Sequence, residues 1–138
     1  MGASLLLVAT VVGAPALKDK PTPDDIVGDW LVVEHSGGGR AAAFEAGFGY
    51  TFRADGTCEF RASAAHPPES CPYFADPVGR PPAVDLTLSD PKRPVARGIY
   101  RVRGDTLTLC FGIGTDRPTS FDDRETWLYV LKRTKKKP

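Results

Sequence analysis

The fold is decided by the stretch Phe52-Arg53-Ala54-Asp55-Gly56-Thr57-Cys58-Glu59-Phe60. A second stretch has the same design and reads Ile99-Tyr100-Arg101-Val102-Arg103-Gly104-Asp105-Thr106-Leu107-Thr108-Leu109. Asp-Gly and Gly-Asp supply the positive φ angles that two-residue β-turns need, and residues of alternating polarity flank both turns. Each stretch therefore predicts a β-hairpin, and the two together favour a compact antiparallel β domain.

Outward from these hairpins, short alternating or apolar segments predict eight strands in all. They are Asp29–His35, Gly47–Arg53, Thr57–Ala62, Cys71–Ala75, Ala83–Leu88, Val95–Val102, Thr106–Phe111 and Thr126–Arg133. Eight short antiparallel strands in chain order favour an all-β up-and-down barrel, because closure of the sheet removes its exposed edges. A sandwich of two sheets is the alternative architecture.

Length and charge limit the class of protein. The 138 residues are enough for one domain with one core. The net charge of +1 gives no reason to propose nucleic acid or a membrane surface as a partner. Basic residues are concentrated near the C-terminus, so residues 134–138 are predicted to form a solvated basic tail, with a docking arm for an acidic partner as the alternative.

The N-terminal segment has the outline of a secretory signal peptide. The first 17 residues carry no charge, Leu5 to Val12 is an apolar run, and Ala14-Pro15-Ala16 precedes a plausible cleavage point. We therefore expect a signal peptide at residues 1–16, a lead-in arm at 17–25 and an extracytoplasmic location, periplasmic or secreted. The run is too short to span a membrane, which takes roughly 20 apolar residues. An apolar N-terminal strand of a cytosolic protein is the alternative.

The three cysteines predict one disulfide and one free thiol if the chain is exported. Cys58 lies on the strand after the Asp-Gly turn, and the strand that follows the bend His66-Pro67-Pro68 can bring Cys71 alongside it. The predicted pair is Cys58–Cys71, and Cys110 is predicted to be a small buried residue with a free thiol. No Cys-x-x-Cys motif is present and neither histidine has a ligand spacing to a cysteine, so we expect no metal site.

A short motif at the start of the first predicted strand carries a family resemblance. Gly28-Asp29-Trp30 resembles the Gly-x-Trp signature of lipocalins and other calycin barrels. In those proteins the tryptophan plugs one end of the barrel, and a basic residue late in the chain packs over its ring. The resemblance implies that Trp30 is buried at a closed end, with Arg133, or else Lys132, over its ring.

Later segments extend the resemblance. In chain order they are Asp85-Leu86-Thr87, Gly98-Ile99-Tyr100, Gly104-Asp105-Thr106-Leu107, Leu109-Cys110-Phe111, Arg117-Pro118-Thr119-Ser120-Phe121 and Val130-Leu131-Lys132-Arg133. Together they resemble the uncharacterised lipocalin-like domain family found mostly in exported planctomycete proteins. The resemblance covers residues 26–133 and implies a calycin-type barrel domain in an extracytoplasmic protein, with no established activity.

Polar residues offer few candidates for chemistry. The segment Arg117 to Phe121 can present an arginine to a carboxylate at the barrel mouth. Alternatively, it folds the last long loop over the barrel with Arg117 paired to an acidic neighbour, which is the interpretation we favour. His35 and His66 are expected to face solvent. The aromatic residues are expected to form the core, or to line a cavity if the barrel is hollow; they are Trp30, Phe52, Phe60, Tyr100, Phe111, Trp127 and Tyr129.

The chain has no nucleophile motif, metal-ligand cluster or phosphate loop, so we expect no enzymatic activity, no cofactor and a function in non-covalent binding. One class of function is an extracytoplasmic binding protein for a small apolar ligand. A second is a protein-binding module, such as a calycin-type protease inhibitor of the bacterial envelope, and a third is a filled-barrel structural domain. A ligand is expected at the open mouth, opposite Trp30, where the loops Ser36–Gly39 and Gly112–Glu125 gather. The interior volume of the barrel distinguishes the classes.

Overall fold

The computed structural model describes residues 25–134, which contain nine β-strands. These are β1 (Gly28–Gly37), β2 (Arg40–Ala41), β3 (Gly49–Phe52), β4 (Thr57–Arg61), β5 (Glu69–Asp76), β6 (Ala83–Thr87), β7 (Val95–Arg103), β8 (Thr106–Gly112) and β9 (Thr126–Arg133). Within this part of the chain, no helix has the length and apolar character needed to cross a membrane. The predicted signal peptide, nearly all of the lead-in arm and the basic tail beyond residue 134 lie outside the described residues.

The strands form one antiparallel sheet that closes on itself. Its order is β2-β1-β3-β4-β5-β6-β7-β8-β9, and β1 also pairs with β9. The barrel therefore has eight strands, since the two-residue β2 pairs only with the end of β1. The predicted all-β up-and-down barrel is confirmed, and each of the eight predicted strands corresponds to one strand of the wall. The alternative two-sheet sandwich is wrong.

The two hairpins from which the fold was predicted have different turns. Between β7 and β8, Gly104 and Asp105 form the predicted two-residue turn, with Gly104 at a φ of 59°. Between β3 and β4, the Arg53 amide donates to the Thr57 carbonyl (2.9 Å), so three residues form the loop. Only its last residue, Gly56, has a positive φ, of 90°. The Asp-Gly turn is thus one residue longer than predicted, and its glycine occupies the left-handed position of a three-residue hairpin loop.

The two ends of the barrel differ. The hairpin turns β3–β4, β5–β6 and β7–β8 lie at one end, together with the start of β1 and the end of β9. The longer connections lie at the opposite end. Apolar side chains from all eight wall strands point into the interior, and the largest fully buried ones include Trp30, Tyr100, Phe52, Leu107, Leu109 and Leu131. Burial of this apolar surface is the main contribution to the stability of the barrel.

A β-bulge in β1 changes the direction of one histidine. The register with β9 shifts between Val32 and Glu34, so that Val33 has no partner opposite it. An extra residue of this kind interrupts the in-out alternation of a strand. As a result, His35 lies against Tyr129, with ring centroids 4.4 Å apart and planes 6° apart. The expectation that His35 faces solvent is wrong because the bulge turns it towards the interior.

The long loop between β8 and β9 packs on the outside of the barrel. Arg117 donates to both carboxylate oxygens of Asp85, at 2.6 and 3.2 Å, and to a carbonyl of β7. Phe121 lies beneath the guanidinium of Arg101, 4.6 Å from its ring centroid. The predicted pairing of Arg117 with an acidic neighbour is confirmed, and that neighbour is Asp85.

Candidate functional site

Trp30 and Arg133 seal one end of the barrel. The side chain of Trp30 is 1% exposed, and its Nε1 donates to the Ile26 carbonyl at 2.8 Å. The guanidinium of Arg133 lies 4.2 Å from the centre of the indole ring and donates to the carbonyls of Val27 (2.9 Å) and Asp25 (3.2 Å). The basic residue over the ring is therefore Arg133, and its neighbour Lys132 points elsewhere. A ligand has to enter from the opposite end.

At that opposite end the barrel is open. A cavity of about 340 Å³ opens between the ends of the strands. Strands β3 to β9 and the β6–β7 turn contribute its walls, which consist of Tyr50, Phe60, Glu69, Ser70, Cys71, Leu86, Leu88, Ser89, Asp90, Arg93, Ala96, Phe111, Trp127 and Tyr129. The barrel is thus filled in its closed half and open in the other half.

The loops predicted to gather at the mouth do meet there at their ends. The Gly38 amide donates to the Thr126 carbonyl at 3.0 Å, and the Ile113 amide donates to the Glu125 carbonyl at 3.1 Å. The middle of the β8–β9 loop, however, lies on the outer wall, where Asp85 holds it. The cavity is consequently not covered by this loop.

Aromatic rings build a rigid wall around Tyr129. The ring of Tyr129 stacks on His35 and meets Phe48, Tyr50 and Phe111 edge-on, with centroids 5.7, 5.8 and 6.3 Å away. Edge-to-face pairs at such distances are favourable beyond the area that they bury. The contacts hold Tyr129 in place, so the apolar surface of the cavity is largely preformed.

Two tyrosine hydroxyls lie together in this wall. Burial raises the pKa of Tyr50 well above its usual value, and the nearby Tyr129 hydroxyl raises it further. Burial also raises the pKa of Tyr129, although the hydrogen bond that Tyr50 donates to it and the positive charge of Arg93 act in the opposite direction. Both hydroxyls are therefore neutral at pH 7 and present polar contacts without a charge.

Arg93 brings a positive charge to the cavity. Its Nη2 donates to the Gly112 carbonyl, which ties the β6–β7 turn to the end of β8. Its Nε is buried and has no hydrogen-bond partner among residues 25–134. The carboxylates that line the cavity, Glu69 and Asp90, are exposed at the rim. The Arg93 side chain itself lines the cavity, so its positive charge can interact with an acceptor group on a bound molecule.

Cys58 and Cys71 lie directly opposite each other on β4 and β5. Both are free thiols here, as is the fully buried Cys110, so the disulfide stays a prediction.

Across the described part of the chain, no three His, Cys, Asp or Glu residues come together in a group that could hold a metal ion.

Several residues of the cavity, Tyr50 and Arg93 among them, were missed from the sequence. Tyr50 has a signal, because it alternates with Phe48 and Phe52 and so shares their inward face. Arg93 has none, since it lies in the polar turn Asp90–Pro94 among other charged residues. Trp127 lines the cavity, which is the alternative expected for a hollow barrel, and is 36% exposed at the mouth.

These features define an eight-stranded, all-antiparallel up-and-down β-barrel with one sealed end, consistent with a calycin-like fold. Neither a protein-family model nor a curated protein matches this chain.

Proposed function

We propose that this protein binds a small, mostly apolar molecule non-covalently in the cavity at the barrel mouth, without turnover. The observation that carries the proposal is the aromatic-lined cavity of about 340 Å³ above a sealed and filled barrel end. Ligand cavities in proteins are mostly apolar, contain a few well-placed polar groups and hold roughly 300–1,000 Å³. An eight-stranded barrel is also just wide enough for one small ligand.

The polar groups of the cavity indicate the character of the ligand. Its apolar body would lie against Tyr129, Phe111 and Leu86, and one acceptor group would lie near the positive charge of Arg93, which also lines the cavity. A negatively charged acceptor gains most there, because hydrogen bonds between ionised groups are about twice as strong as neutral ones. The ligand class is therefore a compact apolar molecule with one acidic or strongly accepting group.

The proposal extends to family and location. We infer membership of the lipocalin-like domain family of exported proteins from the Gly28-Asp29-Trp30 opening and the later matching segments. An extracytoplasmic location is supported by the uncharged, apolar pattern of residues 1–16. The cavity favours ligand binding over a filled structural barrel, and no contact within residues 25–134 specifically favours a protease inhibitor.

Filling the cavity tests the proposal. Ala96 is buried in the cavity wall on β7, and Ala96→Phe is expected to weaken binding of the fluorescent probe N-phenyl-1-naphthylamine at least tenfold, because the added ring occupies the ligand's volume. The matched control is Thr87→Phe, which adds a ring on the exposed face of β6 and should leave binding unchanged. Urea unfolding of both variants verifies that they fold. Equal binding by Ala96→Phe and the parent protein would contradict the proposal.

The role of Arg93 is tested with a pair of probes. The anionic 8-anilinonaphthalene-1-sulfonate and the uncharged N-phenyl-1-naphthylamine share an apolar body and differ in one acidic group. Arg93→Leu is expected to weaken binding of the anionic probe about tenfold and to change binding of the uncharged probe little. The control is Arg97→Leu, because Arg97 lies on the outer face of β7 and donates to the Thr115 carbonyl. An equal effect of Arg93→Leu on both probes would show that the arginine only shapes the cavity.

A further inference from the structure

Cys58 and Cys71 form a cross-strand pair whose backbone spacing suits a disulfide. The Tyr73 amide donates to the Gly56 carbonyl at 2.8 Å, so these opposite residues are a hydrogen-bonded pair of the β4–β5 ladder. Pairs alternate along an antiparallel ladder, so Cys58 and Cys71, two positions on, are hydrogen-bonded as well, with Cα atoms about 5.5 Å apart. Disulfides form at Cα separations of about 4.4–6.8 Å. The Cα separation of this pair therefore falls within the range of disulfides.

The two thiols differ in their access to solvent. Cys58 is 0% exposed and packs with the core residues inside the barrel. Cys71 is only partly buried, and its side chain lines the cavity at the mouth. A small molecule that enters the cavity can therefore contact Cys71, which lines it, but not the fully buried Cys58.

The interaction between the thiols makes them chemically unequal as well. The Cys58 thiol donates to the Glu59 carbonyl at 3.9 Å, and the interaction of the Cys71 thiol with Cys58 lowers the pKa of Cys71. The same interaction, together with burial, raises the pKa of Cys58. The thiolate is the nucleophilic form of cysteine, so the accessible member of the pair is also the more reactive one.

We propose that Cys71 and Cys58 are a dithiol–disulfide exchange pair, in which Cys71 attacks small-molecule disulfides that enter the cavity and Cys58 resolves the product. In the first step the Cys71 thiolate bonds to one sulfur of the disulfide R–S–S–R, the S–S bond breaks and R–S⁻ leaves. In the second step Cys58 loses its proton and attacks the Cys71 sulfur, and the other R–S⁻ leaves. The protein is oxidised by two electrons, and R–S–S–R is reduced to two thiols.

Cys110 has no part in this chemistry. It is fully buried on the outward face of β8, beneath the β8–β9 loop, where its thiol contacts the Ser120 carbonyl at 3.9 Å. It is separated by the barrel wall from the cavity that Cys71 lines. On this proposal, the Cys58–Cys71 disulfide expected from the sequence is the oxidised state of a reversible dithiol pair. It forms when a small-molecule disulfide reaches Cys71 through the mouth of the barrel.

The test treats the reduced full chain with 2-hydroxyethyl disulfide and follows its intact mass. The expected product is a protein that has lost two hydrogen atoms and carries no adduct. Cys58→Ser should instead accumulate a stable mixed disulfide at Cys71, because the resolving thiol is missing. Cys110→Ser should behave as the parent protein. Peptide mapping locates the modified residue in each case.

Cys71→Ser is the decisive variant. It should react at least about tenfold more slowly than the parent protein, because only buried thiols remain. Circular dichroism of each variant shows whether it folds, and Cys71→Ala is a second variant that keeps the test valid if the serine destabilises β5. The proposal is overturned if Cys71→Ser reacts as fast as the parent protein, if Cys110 is the modified residue, or if Cys58→Ser yields no mixed disulfide.

Discussion

Replacing Trp30 with alanine is expected to lower the free energy of unfolding by about 3–5 kcal/mol, the usual cost of truncating a buried tryptophan. The indole is 1% exposed, and its removal leaves a cavity at the sealed end. It also leaves the Ile26 carbonyl without its donor and the guanidinium of Arg133 without the ring beneath it. Urea unfolding of the full chain, followed by far-UV circular dichroism, measures the change.

The other tryptophan of the chain is the matched control. Trp127 lies at the mouth and is 36% exposed, so Trp127→Ala is expected to cost no more than about 1–2 kcal/mol. Natural domains are only about 5–15 kcal/mol stable, so Trp30→Phe, which keeps part of the ring and should show a smaller loss, is measured beside Trp30→Ala. A similar loss for Trp30→Ala and Trp127→Ala would contradict the sealed end described above.

Replacing Arg133 with alanine is expected to cost about 2–3 kcal/mol. The guanidinium donates to the carbonyls of Val27 and Asp25, and hydrogen bonds from charged donors contribute about 1.5–3 kcal/mol each when they are well protected. Its side chain is 22% exposed, so water partly compensates for the loss. The contact with the Trp30 ring adds about 0.5–2 kcal/mol, which a double-mutant cycle of the two residues isolates.

The neighbouring lysine is the control for this prediction. Lys132 is exposed and donates to the Thr106 hydroxyl at 2.8 Å, so Lys132→Ala is expected to change stability by less than about 0.5 kcal/mol. Arg133→Lys should not restore the parent stability, because one ammonium group cannot bind two carbonyls and cover a ring as a planar guanidinium does. The opposite result, a larger loss for Lys132→Ala than for Arg133→Ala, would show that the wrong residue has been assigned to the ring.

Both predictions concern the sealed end, whereas the proposed ligand and the cysteine pair concern the mouth. Stability and binding are expected to depend on different halves of the barrel, because the closed half is filled with apolar side chains and the open half is not. Variants at the sealed end should therefore change stability more than ligand affinity, and variants of the cavity should do the reverse. This division makes the function of the mouth testable without loss of the fold.

The strands and hairpins could be predicted from the sequence because their signals are local. Val84 and Leu86 alternate with polar neighbours, and such alternation places them on one face of β6 whatever the rest of the chain does. Gly104 marks a turn because only a residue without a side chain adopts its positive φ freely. Trp30 was identified by a resemblance, and its burial under Arg133 depends on the two ends of the chain meeting across the β1–β9 seam.

Only the tertiary structure decided what the open half of the barrel contains. The bulge at Val33 arises from the pairing of β1 with β9, two strands at opposite ends of the domain, and it alone turns His35 inward. The unpartnered Nε of Arg93 and the volume of the cavity depend on how loops and side chains from many strands pack, which no local pattern encodes. The sequence by itself therefore determined the strands, the hairpins and the order in the sheet, because these follow from residue periodicity and turn chemistry. The register across the seam, the hollow mouth and the unequal exposure of the two cysteines were decided by contacts between residues far apart in the chain.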